Sequence, residues 1–200
     1  MIKNIIFDLA GVLLNLNLDK DTEALHSIGL PDFVGCLNDK AIREPALAYL
    51  NGLMPRQEFL TAIRPLCAVG VTDEQILWAM DAVLDDIPES RLRMLVELRK
   101  TYRVFLLSNL YDTAWQYTQQ IVEQQGYTLD ECFEQTFVSY EMQLAKPDPR
   151  IYQQVIQQTG IIPAETLYYD DTRENIEAAM ALGFQAILVP MNKLESVLLS

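Results

Sequence analysis

The 200-residue chain has one histidine and three cysteines, and its 15 basic residues face 28 acidic ones. Each scarcity removes a class of function. His26 has no second histidine with which to hold a metal or relay a proton, and its amphipathic helical setting reads as a helix surface. Cys36, Cys67 and Cys132 are odd in number, far apart and without CxxC spacing, which argues against a disulfide framework and a zinc site. The net charge of -13 repels nucleic acid phosphates and anionic lipid headgroups, so neither polymer is an expected partner. Long apolar runs are also missing. The first eight residues are too briefly apolar for a signal peptide, and no later run reaches membrane-spanning length. A cytoplasmic chain is the expectation. Acidity does not exclude a small phosphorylated ligand, because a divalent cation and a few local donors reverse the field within one pocket.

What is present is apolar material, 50% of the chain, enough for one substantial core and a small insertion. Short unbroken apolar runs occur at 5–7, 104–107, 136–138, 167–169 and 186–189, the pattern of strands buried on both faces. Between them lie helical periodicities at 113–125, 149–159 and 173–182, followed by Gly126, Gly160 and Gly183, where left-handed caps are expected. Such alternation predicts an α/β fold, a Rossmann-like doubly wound parallel sheet whose ligands bind at the carboxyl ends of the strands. The interval 16–88 breaks this rhythm, with helical patterns and no buried strand, and reads as a helical insertion; 1–15 and 89–200 form the core. Thr72-Asp73-Glu74-Gln75 has capping-box spacing and starts one of its helices. Pro31, Pro45, Pro55 and Pro65 are expected to separate the others. Asn17, Arg43 and Tyr49 read as surface or packing residues.

Reading only the strand ends gives Asp8, then Ser108 and Asn109, then Asp170 and Asp171, with Lys146 on the loop before the helix at 149–159. Carboxylates from separate strand ends can share a hard cation such as Mg²⁺. Phosphoryl transfer needs an in-line nucleophile and donors around the transferred oxygens, which Asp8, Ser108, Asn109 and Lys146 are suited to provide.

Four motifs in this order, Ile5-Ile6-Phe7-Asp8-Leu9-Ala10-Gly11-Val12-Leu13, Leu106-Leu107-Ser108-Asn109, Lys146-Pro147, and Tyr168-Tyr169-Asp170-Asp171 followed by Asn175, resemble those of the haloacid dehalogenase (HAD) superfamily. They span almost the whole chain. The resemblance implies a Mg²⁺-dependent phosphatase acting on a small phosphorylated metabolite, as monomer or homodimer. It makes Asp8 the nucleophile and a metal ligand, the Ala10 carbonyl and Asp170 further ligands, and Asp171 a ligand directly or through water. Ser108 and Lys146 would hold the phosphoryl oxygens, Lys146 also orienting Asp8, with Asn175 behind the ligands. The insertion would be the family's small helical cap, which closes over the site and selects the substrate.

The sequence departs from the pattern at Ala10, where most phosphatases of the family carry a second Asp as general acid and base. A positioned acid or base contributes ~10²–10⁴ in rate, against accelerations of up to ~10²¹ for phosphate-monoester hydrolysis. Its absence hurts least when the leaving group is stable as an anion, which favours sugar 1-phosphates and acyl phosphates. The phrase Phe-Asp-Leu-Ala-Gly-Val-Leu is similar to the alpha-glucose-1-phosphate phosphatase-like branch. Asn15 is a second departure, standing where many relatives have Asp. Rival readings are a binding or regulatory protein weakened in turnover, a phosphomutase, a 2-haloacid dehalogenase, and a receiver domain. A phosphomutase needs repeated proton transfer that Ala10 does not serve. A dehalogenase typically has Tyr at position 10 and no use for the acidic pair, and a receiver lacks the insertion.

Overall fold

The computed structural model describes residues 1–198. Five strands, β1 Asn4–Phe7, β2 Arg103–Ser108, β3 Gln135–Val138, β4 Thr166–Asp170 and β5 Gln185–Leu188, form one parallel sheet in the order β3-β2-β1-β4-β5. Chain direction reverses its lateral progress at β1, so the crevice at the sheet's carboxyl edge opens beside Asp8. Register is fixed by the two-residue side-chain period. Phe7, Leu106, Val138 and Tyr169 belong to the core on one face, and Ile6, Phe105, Leu107, Phe137 and Tyr168 to that on the other.

Helices cover both faces. Leu92 and Leu95 of α6 (Glu89–Leu98) and Trp115 and Val122 of α7 (Asp112–Gln124) pack on the first. Ile151, Tyr152 and Val155 of α10 (Pro149–Thr159) and Ile176 and Ala179 of α11 (Arg173–Ala181) pack on the second. Short helices α8 (Leu129–Cys132), α9 (Ser139–Met142) and α12 (Leu194–Leu198) complete the layers. Gly126, Gly160 and Gly183 take the left-handed conformation expected of them. β5 differs from expectation: Gln185 and Leu188 are exposed, because this is an edge strand and its outer flank meets solvent. No helix among the described residues is long and apolar enough to cross a membrane.

The insertion contains helices α1 (Leu18–Ser27), α2 (Phe33–Asn38), α3 (Lys40–Leu50), α4 (Arg56–Ile63) and α5 (Asp73–Asp81), with a hydrophobic cluster of their own around Leu25, Ile42, Phe59, Ile63 and Ile76. Thr72 and Gln75 make both bonds of the capping box at the start of α5. Asn17 caps α1 by accepting from the Lys20 amide. Pro45 does not separate helices but lies inside α3. Its missing N–H would have reached the Ala41 carbonyl, so only one bond close to the helix start is lost.

The entering and leaving chains of the insertion are tied together by an antiparallel bridge between Leu16 and Leu84 and by the Asn17 amide donating to the Val83 carbonyl. Further contacts fasten it to the segments that follow β2 and β3. Tyr49 stacks between Phe59 and Tyr111, its hydroxyl and the Arg56 guanidinium both donate to Asp112, and Ser139 Oγ donates to the Leu50 carbonyl at 2.6 Å. Gly52, at φ +67°, lies so close to the Tyr140 carbonyl that a Cβ there would collide with backbone. Gly52→Ala adds that collision to left-handed strain, and a loss of about 2 kcal/mol or more is expected in urea unfolding.

Candidate active site

The ends of β1, β2 and β4 deliver Asp8, Ser108 and Asp170 into the crevice, and the loop before α10 delivers Lys146. Past Asp8 the chain turns sharply, the Leu9 carbonyl accepting from the amides of Val12, Leu13 and Leu14. Asp8 Oδ1 takes three donors: Ser108 Oγ at 2.6 Å, the Leu9 amide at 2.7 Å and Lys146 Nζ at 2.9 Å. Its other oxygen has none among the described residues, so one oxygen is anchored while the second is available. The Ala10 carbonyl is left out of the turn's hydrogen bonds and is equally available.

Lys146 is the electrostatic centre. Its ammonium is buried, donates to the Leu107 carbonyl at 3.0 Å, and pairs with Asp170 at 2.7 Å as well as with Asp8. Burial opposes its charge, yet the two carboxylates hold its pKa above the ordinary lysine value. Asn109 clamps the same residue from outside: Nδ2 donates to the Lys146 carbonyl and Oδ1 accepts from the Lys146 amide, each at 2.9 Å. The Asn109 side chain thus holds the lysine loop at both ends of its amide, while the second hydrogen on Nδ2 is used by neither bond.

Asp170 is fully buried and its carboxylate is saturated. The Thr172 amide (2.8 Å) and Asn175 Nδ2 (3.0 Å) reach Oδ1; Lys146, the Tyr168 hydroxyl and Asn175 again (3.1 Å) reach Oδ2. Burial raises the pKa of this carboxyl, but Lys146 and the other donors outweigh it and leave the net shift downward. Asp171 is the more open of the pair, with a single 3.3 Å bond from Thr172 Oγ1, and its Oδ2 lies directly against Gly11. One functional group escaped the sequence reading, the Tyr168 hydroxyl. The signal was there: Tyr168 and Asp170 are two apart in a strand and share a face.

Carboxylate oxygens of Asp8, Asp170 and Asp171 converge within 4.8 Å of one another. Three carboxylates and one ammonium leave two negative charges uncompensated. Burial, followed by the field of Asp170 and against the pull of Lys146, raises Asp8 to about 7. Burial and Asp170 raise Asp171 as well. An all-oxygen donor set with a charge deficit of two fits a hard divalent cation, with Asp8, Asp171 and the Ala10 carbonyl offering the freest oxygens. Asn15, the second departure, lies apart from this cluster. Its Oδ1 accepts from buried Arg91 at 2.9 Å and its Nδ2 donates to Asp86 at 3.0 Å, so an aspartate there would set one carboxylate against another.

A family model for haloacid dehalogenase-like hydrolases matches residues 2–183. The chain is similar to the D-ribitol-5-phosphate phosphatase of Bacteroides thetaiotaomicron, 31% identical over 188 residues covering 92% of this chain and 90% of that protein. It is also similar to phosphatase MT3486 of Mycobacterium tuberculosis, at 26% identity over 94% of this chain and 87% of the other. Among solved structures, HAD family enzyme bt-2542 of Bacteroides thetaiotaomicron, as an aspartate-to-alanine variant in complex with magnesium and inorganic phosphate, has a TM-score of 0.91 at 33% identity, covering 100% of both chains. The L-2-haloacid dehalogenase of Xanthobacter autotrophicus shares the fold, with a TM-score of 0.61 at 22% identity over 94% of this chain and 78% of that one.

Two outcomes follow from the charge arrangement. Lys146→Met leaves Asp8 and Asp170 buried without their cation and is expected to cost about 3–5 kcal/mol in urea unfolding with EDTA, part of it returning with Mg²⁺. Gly11→Ala, at φ +80° and with its new Cβ against Asp171 Oδ2, is expected to weaken Mg²⁺ binding about tenfold or more by calorimetry, the displaced carboxylate costing as much as a lost supporting contact.

Proposed function

The chain belongs to the haloacid dehalogenase-like hydrolases, and within that family we propose that it removes the phosphoryl group from small phosphorylated metabolites through an aspartyl-phosphate on Asp8. It is a phosphoric monoester hydrolase of the HAD type, and its metal is Mg²⁺. The observation that carries the covalent step is the asymmetry of Asp8. Three donors fix Oδ1, while the second oxygen has no donor among the described residues.

The chemistry follows from what each side chain can do. The free oxygen of Asp8 attacks phosphorus in line, and the bond to the leaving oxygen breaks, that oxygen taking the electron pair and then a proton from water or substrate. Water then attacks the aspartyl-phosphate, releasing inorganic phosphate and restoring the carboxylate. Ser108 Oγ and Lys146 Nζ, both at Asp8, are placed to follow the transferred oxygens, with Lys146 held in position by Asn109 and Asp170. Asp8, Asp170, the Ala10 carbonyl and Asp171, the last directly or through water, would hold the Mg²⁺, which would supply the positive charge that lets an anionic nucleophile approach an anionic phosphoryl group.

The insertion 16–88 acts as the cap over the core formed by 1–15 and 89–200, a division supported by its separate hydrophobic cluster and its bridged neck. It is fastened at Tyr111 and Ser139, on the segments that follow β2 and β3, which supports a cap standing near the carboxyl ends of those strands.

Ala10 governs substrate preference in this reading. With a methyl group where an acid would stand, leaving groups that are stable as anions, such as sugar 1-phosphates and acyl phosphates, are turned over best. The relative named for D-ribitol 5-phosphate supports a second choice, an alkyl phosphate of a polyol. The bt-2542 variant with magnesium and phosphate supports retention of both ligands after loss of one aspartate in that enzyme.

The test is phosphate release from glucose 1-phosphate, acetyl phosphate, glucose 6-phosphate and ribitol 5-phosphate, with Mg²⁺ or EDTA. Release is expected to require Mg²⁺, to fall by about 10³-fold or more in Asp8→Asn, and to favour the first two substrates. Ala10→Asp is expected to raise turnover of the two alkyl phosphates by about 10²-fold and to change acetyl phosphate little. Equal rates on glucose 1- and 6-phosphate would remove the leaving-group reading. Absence of release from every substrate by folded protein would favour a binding or regulatory role.

A further inference from the structure

A cavity of about 330 Å³ lies inside the insertion, at the lower end of the range for small-molecule sites. Leu25, Ile28, Ile42, Phe59, Ile63 and Ile76 line it, and toward the core it is bounded by Tyr111. None of Asp8, Ala10, Ser108, Lys146, Asp170 or Asp171 touches it, so it is separate from the phosphoryl-transfer site.

One charged group in this apolar wall has no ion-pair partner among the described residues. Asp21, on α1, is 4% exposed and lines the cavity, and its Oδ2 is shut off from solvent with no hydrogen-bond partner among the described residues. The other charged residue on the lining, Arg43, directs Nη1 to the Leu37 carbonyl at 3.2 Å and makes no ion pair with it among the described residues. A buried polar group without a partner costs stability, and a carboxylate costs more than a neutral group. The carboxyl of Asp32 lies near enough to deepen the negative field, which together with burial raises the Asp21 pKa.

We propose that this cavity is a second ligand site, for a compact apolar primary amine whose ammonium pairs with Asp21 while its hydrocarbon body fills the apolar chamber. A neutral hydrocarbon would leave the carboxylate unpaired, and an anion would be repelled by Asp21 and Asp32. A sugar or polyol would bring several hydroxyls to a wall with almost no partners for them. An ammonium forms a charge-assisted hydrogen bond and cancels the buried charge.

The test uses calorimetry on the whole chain near neutral pH with three probes of similar shape: 2-phenylethylamine, 2-phenylethanol and 3-phenylpropanoate. Saturable one-to-one binding of the amine is expected, at least about tenfold tighter than the alcohol, with no binding of the carboxylate. Asp21→Asn keeps the side-chain shape and removes the charge; it should weaken the amine about tenfold and leave the alcohol unchanged. Ala46→Phe, which fills the chamber, should abolish binding of both. Equal affinity for amine and alcohol on the wild-type chain, an amine affinity unmoved by Asp21→Asn, or no saturable binding by the amine would each overturn the proposal.

Discussion

The ammonium of Lys146, buried between Asp8 and Asp170, is the interaction on which the site depends. An isolated carboxylate at a buried strand end would neutralise itself by taking up a proton. With Lys146 at 2.9 Å from one and 2.7 Å from the other, two such carboxylates are held a short distance apart. The pairing is unequal. Asp170 accepts from Lys146, Tyr168, Thr172 and Asn175 and stays below its ordinary pKa, whereas Asp8 keeps one oxygen bare among the described residues and is pushed up by burial. The first serves as counterion to the lysine, and the second keeps an oxygen that none of the described donors holds, the feature on which the proposed attack rests.

Positioning of the cluster is distributed over elements far apart in sequence. Asn109 fixes the Lys146 backbone, and Tyr152 donates to the Asn175 carbonyl at 3.1 Å, steadying the residue that holds Asp170. On the opposite side of the crevice, Arg91 is buried and donates to the Leu13 carbonyl and Asn15 Oδ1 while pairing with Glu195. Asn192 brackets Leu16 through both ends of its amide and donates its backbone N–H to the Gly11 carbonyl at 2.7 Å. The turn carrying Ala10 and Gly11 is thus held from below by the last segment of the core, at the place where the insertion begins.

The strands and the groups at their ends were legible because burial on two faces leaves an unmistakable apolar run, and because a polar residue that ends such a run has few reasons to be there. Asp8, Ser108, Asp170 and Asp171 stood out for that reason and Lys146 by its place on the loop before the helix at 149–159, and the structure brings all five together. What the sequence concealed were relationships between distant residues. Nothing local to Asn109 says that its amide closes on Lys146, and nothing local to Asn15 says that it stands between a guanidinium and a carboxylate. Pro45 misled because a proline near a helix start costs one hydrogen bond and tertiary packing of Ile42 and Tyr49 outweighs it. β5 misled because an apolar composition does not distinguish a central strand from one at the edge.

The claim that the rest depends on is covalent attack by Asp8. Its most direct test is to quench the enzyme during turnover with Mg²⁺ and glucose 1-phosphate or acetyl phosphate, reduce it with borohydride, and map the product by peptide mass spectrometry. Reduction of an aspartyl-phosphate converts the residue to homoserine, and the account predicts that conversion at position 8, dependent on substrate and Mg²⁺. Turnover at a measurable rate with position 8 unmodified, or phosphate release undiminished in Asp8→Asn, would contradict it.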